Sequence, residues 1–221
     1  MAEQPSAGAV SQGALPRAFG LYLVITNPVT SYETVAEAAV RADLRFVQLR
    51  MKHTPREQIV ATARNLRTIT AGSNTAFIVN DDPALAAEVG ADGVHLGQGD
   101  MPLPEARVRF PQLKLFGLST HSYAQMEAAR AVCPDYAGVG PVYATPTKEI
   151  PDPTLGPVEA GRIVQASPWP TVAIGGIDEA RLPEVLRAGA INFSVVRAVC
   201  HSPAPFDAIR RLQDLWLAAR A

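Results

Sequence analysis

Several short stretches of this chain carry side chains whose charge and spacing suit the handling of phosphate. In Gln48-Leu49-Arg50-Met51-Lys52 polar residues alternate with apolar ones. In an extended strand Gln48, Arg50 and Lys52 then leave one face, and Leu49 and Met51 the other. An amide and two cations converging on a partly buried mouth are costly unless an anion meets them. A solvated strand end, or an internal ion pair with Asp81, would satisfy the same charges. Asp81 follows Asn80 at the end of one apolar run, and Asp100 follows the next in Val94-His95-Leu96-Gly97-Gln98-Gly99-Asp100. Carboxylates at the ends of adjacent strands, about 4.8 Å apart, suit one hard cation, and Mg²⁺ takes one or two carboxylates together with phosphate oxygens and water. Helix capping is the competing use: Asp81 or Asp82 could open a helix beginning at Pro83, and for Asp82 capping is the favoured reading.

Downstream, residues 141–157 hold five prolines around Thr145-Pro146-Thr147-Lys148. A long loop is usually functional or disordered. Two hydroxyls and an ammonium placed so closely suit an oxyanion, and a mobile surface loop is the plainer alternative. Ala173-Ile174-Gly175-Gly176-Ile177 and Ser194-Val195-Val196-Arg197-Ala198 follow. Glycines let backbone N–H groups approach a phosphate, although a turn needing positive φ would explain them equally. His53, His95, His121 and His201 show no metal-ligand spacing and no Ser-His-Asp or Cys-His set; His121 alone falls beside the site, after Ser119-Thr120.

Such residues need a scaffold that gathers strand ends. Eight apolar, β-branched runs alternate with helix-period segments: Leu21–Thr26, Phe46–Arg50, Ala76–Asn80, Gly93–Leu96, Leu115–Ser119, Tyr136–Gly140, Thr171–Ile174 and Phe193–Val196, with a last helix over Phe206–Ala219. This predicts an α/β fold, a single-domain (β/α)₈ barrel over residues 19–221 with its chemistry at the C-terminal strand ends and a phosphate site in the last two loops. An open doubly wound sheet shares the alternation, but no G-x-G-x-x-G follows the first strand. Residues 1–18, rich in Ala, Gly, Ser and Pro, are expected to form a disordered leader.

Composition narrows the partners. The chain has 221 residues, 48% of them hydrophobic, enough for one substantial core. Twenty basic residues against 21 acidic ones give a formal charge of −1, so no global field points to nucleic acid or an anionic membrane, and any anion must be recognised locally. Cys133 and Cys200 read as reduced thiols. Without a signal-like start or a run of roughly 18 apolar residues, a cytoplasmic location is expected. A homo-oligomer is left open.

Taken together, Gln48 to Lys52, Asn80-Asp81, Gly93 to Asp100, Gly117-Leu118-Ser119-Thr120-His121, Thr145 to Lys148 and Ala173 to Ile177 resemble the thiamine-phosphate synthase family, from about Leu21 to Val199. The resemblance implies a barrel that joins a hydroxymethylpyrimidine diphosphate to a thiazole phosphate, releasing diphosphate through a largely dissociative mechanism. It implies that Gln48, Leu49, Arg50, Met51, Lys52, Asn80, Ser119 and Lys148 hold the pyrimidine diphosphate. Arg50, Lys52, Ser119 and Lys148 would be catalytic, and Asp81 and Asp100 would bind Mg²⁺. Thr145, Pro146, Thr147, Gly176, Val196 and Arg197 would hold the thiazole phosphate. Two positions depart from the family pattern: Asp82 stands where an arginine is common, and Arg197 where a small serine is frequent. Two other readings remain: a thiazole tautomerase of the same superfamily, for which paired aspartates and three cations would be superfluous, and a non-catalytic sensor of a phosphorylated ligand.

Overall fold

In the computed structural model, which describes residues 15–147 and 152–221, eight parallel strands close into a barrel. They are β1 (Leu21–Ile25), β2 (Phe46–Leu49), β3 (Ala76–Asn80), β4 (Gly93–Leu96), β5 (Leu115–Thr120), β6 (Tyr136–Val139), β7 (Thr171–Ala173) and β8 (Asn192–Val195). The helices are α1 (Tyr32–Arg41), α2 (Arg56–Thr70), α3 (Pro83–Glu88), α4 (Leu103–Arg109), α5 (Tyr123–Ala128), α6 (Gly156–Ala166), α7 (Leu182–Arg187), α8 (Arg197–Cys200) and α9 (Pro205–Ala218). Every expected strand is present, with bounds within two residues of those expected. The doubly wound alternative is ruled out by closure, since β1 pairs with β8 in the register Leu21↔Phe193, Tyr22↔Ser194 and Leu23↔Val195.

The alternation within each strand builds two cores. Outward residues such as Leu23, Val47, Phe77, Val94 and Phe193 pack under the helices. Inward residues Tyr22, Val24, Phe46, Ala76, Ile78, Leu115, Tyr136 and Val172 fill the barrel, as a closed sheet with both faces covered requires. Phe46 lies against both Tyr22 (5.3 Å between ring centroids) and Tyr136 (5.9 Å), so aromatic rings floor the interior.

Of the residues expected as a leader, 15–18 are described. The Arg17 guanidinium donates to the carbonyls of Ser167 (2.9 Å) and Pro168 (3.1 Å), and the Asn192 amide donates to the Arg17 carbonyl at 2.9 Å, so this segment is tied to the bottom of the barrel. Among the described residues no helix is long and apolar enough to cross a membrane.

Candidate functional site

A cavity of about 1080 Å³ opens at the C-terminal ends of the strands. One wall carries Gln48, Arg50, Lys52, Asn80, Asp81, Asp100 and Ser119; the opposite wall carries Thr145, Thr147, Gly176, Val196 and Arg197. Residues spread over 150 positions of sequence thus face one space because every strand runs the same way. Three expected members do not line it. Leu49, 2% exposed, and Met51 pack into the outer core under the helices, as their place on the other face of the strand dictates, so only their backbone can serve a ligand in the mouth. Pro146 is exposed beside the two threonines. Lys148 lies outside the described residues.

The two aspartates at the end of β3 part company. Asp82 accepts from the Leu85 N–H at 2.8 Å and caps α3, as expected, while also taking an Arg56 guanidinium at 3.0 Å. Asp81 adopts φ +65°, donates its N–H to the His95 carbonyl at 2.8 Å, and turns its carboxylate into the mouth. There it meets the Lys52 ammonium, so the internal ion pair left open by the sequence is formed. Asp100 accepts the Gly97 N–H at 2.6 Å. Burial, and then the neighbouring Asp81 within hydrogen-bonding reach, push the Asp100 carboxyl above its ordinary range, against the opposing pull of Gly97 N–H and Lys52.

Two carboxylates converging in a mouth, one already against a cation, fit Mg²⁺, which relieves their mutual repulsion and is commonly held by one or two carboxylates. Among the described residues no group of three or more His, Cys, Asp or Glu side chains gathers as a metal centre. The remaining ligands would have to be substrate oxygens and water.

Below the charged rim lies a connected set of polar groups. Gln48, 4% exposed, donates through Nε2 to the Tyr22 hydroxyl at 2.9 Å, and that hydroxyl is 2.8 Å from the Tyr136 hydroxyl. The Tyr136 hydroxyl is 3.2 Å from His95 Nδ1, and His95 Nε2 is 2.9 Å from Ser119 Oγ. Enclosure by protein pulls His95 down to about 4, so its imidazole is neutral at pH 7. Gly117 makes the arrangement fit: a Cβ there would come within 2.3 Å of Tyr136 Cζ and 2.4 Å of His95 Nδ1. Sequence reasoning missed Tyr22, His95 and Tyr136; the available signal was hydroxyl- or nitrogen-bearing rings at inward positions of otherwise apolar strands.

On the other wall the Thr145 hydroxyl accepts the Thr147 N–H at 3.3 Å and lies 3.1 Å from the Thr147 hydroxyl. Gly175 and Gly176 take φ +105° and +66°, and a Cβ on them would meet Pro141 Cα at 2.6 Å and Tyr143 Cβ at 2.8 Å. The glycines are therefore required by the turn and by the chain passing over it, whatever they offer a ligand. Val196 caps α8 and Arg197 begins it, exposed at the rim with no acidic ion-pair partner among the described residues. His121 faces the Gly140 carbonyl through Nδ1 at 2.7 Å and Asp152 through Nε2 at 3.5 Å, linking β5 to the loop.

A family model described as thiamine monophosphate synthase matches residues 21–199. A thiamine-phosphate synthase of Gloeobacter violaceus is 43% identical over 84% of this chain, which spans about half (54%) of that relative. One of Anaeromyxobacter dehalogenans is 36% identical over 98% of this chain and 96% of its own length. The solved thiamine phosphate pyrophosphorylase from Pyrococcus furiosus is similar at a TM-score of 0.83 and 28% identity, covering 93% of this chain and 99% of that one. With the model matching well over half of its length and the Anaeromyxobacter relative aligned nearly end to end, this chain belongs to the thiamine monophosphate synthase family.

Proposed function

We propose that this chain joins hydroxymethylpyrimidine diphosphate to thiazole phosphate, or to its carboxylated tautomer, giving thiamine phosphate and diphosphate. The observation that carries the reading is one cavity with an anion-handling set on each wall: Arg50, Lys52, Asp81 and Asp100 on one side, Thr145, Thr147, Gly176 and Arg197 on the other. At about 1080 Å³ the cavity lies just above the roughly 300–1,000 Å³ range of sites for one small molecule, which leaves room for both substrates to meet in it.

Each residue then has a physical task. Arg50 and Lys52, with Lys148 from the loop, meet the diphosphate, whose charge grows on the leaving oxygen as its bond to the pyrimidine methylene breaks. Fixed cations aimed at that charge lower the barrier because they need no reorganisation. Asp81 and Asp100 would hold Mg²⁺, which when bound supplies further neutralisation of the diphosphate oxygens. Gln48, Asn80 and Ser119 orient the pyrimidine diphosphate through hydrogen bonds, and the packed aromatic rings beneath them limit the access of water to the cationic carbon. The threonines, the Gly176 backbone and Arg197 anchor the thiazole phosphate, so that the ring nitrogen is presented to that carbon; positioning of this kind replaces a nucleophilic side chain. The substrates are small phosphorylated molecules, and a cytoplasmic location accords with such chemistry.

The test is direct. Purified protein given both substrates and Mg²⁺ should form thiamine phosphate, detected by mass, with stoichiometric diphosphate, and omission of either substrate or of Mg²⁺ should abolish it. Interconversion of the thiazole tautomers without coupling would instead establish the tautomerase, and binding without turnover the sensor.

A further inference from the structure

The polar groups under the rim form a chain in which each proton can be placed. Gln48 Nε2 brings its own hydrogen to the Tyr22 oxygen, 2.9 Å away. A tyrosine hydroxyl has one proton, so that of Tyr22 lies on the other contact, toward Tyr136 at 2.8 Å. Tyr136 thus accepts from Tyr22, and its own proton is left for His95 Nδ1 at 3.2 Å. A neutral imidazole whose Nδ1 accepts carries its proton on Nε2, and that nitrogen faces Ser119 Oγ at 2.9 Å. The serine oxygen receives a hydrogen bond from below and keeps its own proton for the cavity. Tyr22 and Tyr136 are 2% and 1% exposed, so water cannot readily substitute for the link between the two hydroxyls.

We infer that a one-way hydrogen-bond chain from Gln48 through Tyr22, Tyr136 and His95 fixes Ser119 as a hydrogen-bond donor to bound substrate, with His95 as the positioning residue. The inference rests on the proposed function only for what Ser119 donates to. A diphosphate oxygen only accepts, so a serine already supplied with a donor from His95 presents the one polarity that such a ligand can use. The chain also gives Gly117 a purpose, since any side chain there would displace both rings from their contact.

The direction is measurable without substrate. In the full chain labelled with ¹⁵N-histidine, long-range ¹H–¹⁵N correlation near pH 7 should show His95 as the Nε2–H tautomer with a bare Nδ1, the His95→Gln spectrum identifying its signals among the four histidines. His121, whose Nδ1 faces a carbonyl that can only accept, should show a protonated Nδ1 and serves as the internal contrast. In Tyr136→Phe the constraint on Nδ1 is removed, and the Nδ1–H form of His95 should appear while the circular dichroism is retained. An Nδ1–H or doubly protonated His95 in the unaltered chain would overturn the inference. For the functional half, His95→Gln can accept from Tyr136 and donate to Ser119, whereas His95→Leu can do neither. We expect His95→Leu to lose roughly tenfold to a hundredfold in kcat, the size of one hydrogen bond to a charged group, and His95→Gln to recover most of it. Equal loss in both variants would overturn the positioning role, and because the tautomer is read on the free protein, its outcome is independent of whether the proposed reaction holds.

Discussion

At the residue scale the site is a balance of charges that the chain cannot complete alone. Asp81 leans on Lys52, while Asp100 is left with burial and a like-charged neighbour that raise its carboxyl. Replacing Asp100 by Asn removes one proposed Mg²⁺ ligand without adding bulk. The half-saturating Mg²⁺ concentration should rise by at least the roughly 10- to 100-fold seen when supporting groups of metal sites are lost, with unchanged circular dichroism; an unaltered Mg²⁺ titration would remove Asp100 from the metal site. Arg197, one of the two departures from the family pattern, is exposed at the rim of the wall that carries Thr145 and Thr147. Arg197→Ser should raise KM for the thiazole phosphate about tenfold, the size of one charge-assisted hydrogen bond, and leave KM for the pyrimidine diphosphate close to its original value. If neither constant moves, the guanidinium points away from the ligand.

At the element scale, strands are held by devices that the apolar pattern does not announce. The residue before β4, Asp92, accepts the Phe77 N–H at 2.8 Å and the Arg67 guanidinium at 3.3 Å. The residue before β6, Asp135, accepts the Phe116 N–H at 2.8 Å and the Arg107 guanidinium at 3.1 Å. Each carboxylate therefore staples the preceding strand to the next at the bottom of the barrel, opposite the site. Within β5, Gly117 yields its inward position to rings from β4 and β6. Gly117→Ala should cost about 1–3 kcal/mol, the usual penalty of overpacking, and should also lower kcat by shifting His95 from Ser119; urea unfolding with m-value checks the first, steady-state kinetics the second. An alanine variant as stable and as active as the parent would show that the rings tolerate displacement.

At the scale of the whole molecule, one amide braces the seam where β1 pairs with β8 to close the sheet. Asn192 in β8 is fully buried; its Oδ1 accepts the N–H groups of Phe19 (2.6 Å) and Gly20 (3.0 Å), and its Nδ2 donates to the carbonyls of Arg17 and Thr171, both at 2.9 Å. It thereby binds the segment leading into β1 to β8 and β7, the seam where the barrel meets itself. Asn192→Leu keeps the volume but leaves those backbone groups without partners at about 1–3 kcal/mol each. Stability should fall by about 3 kcal/mol or more, a drop in Tm of roughly 6–12 °C for a chain of this size. A change of less than about 1 kcal/mol would mean that water replaces the amide.

The order of apolar runs and helical segments by itself determined eight strands, their approximate bounds and an α/β architecture, because strand burial on two faces writes continuous hydrophobic runs into any sequence, while the pairing of β1 with β8 closed the sheet. It also determined which polar residues stand at strand ends, and the separate fates of Asp82 and Asp81 were half visible in Pro83, which marks a helix start. Only the tertiary structure decided the rest. That Lys52 rests on Asp81 and that the glycines at 175 and 176 are demanded by Pro141 and Tyr143 both depend on distances between segments far apart in the chain. The same holds for the run of contacts from Gln48 to Ser119, which draws on five strands. Periodicity reports which way a side chain points; closing the barrel is what brings inward rings from opposite strands within hydrogen-bonding reach.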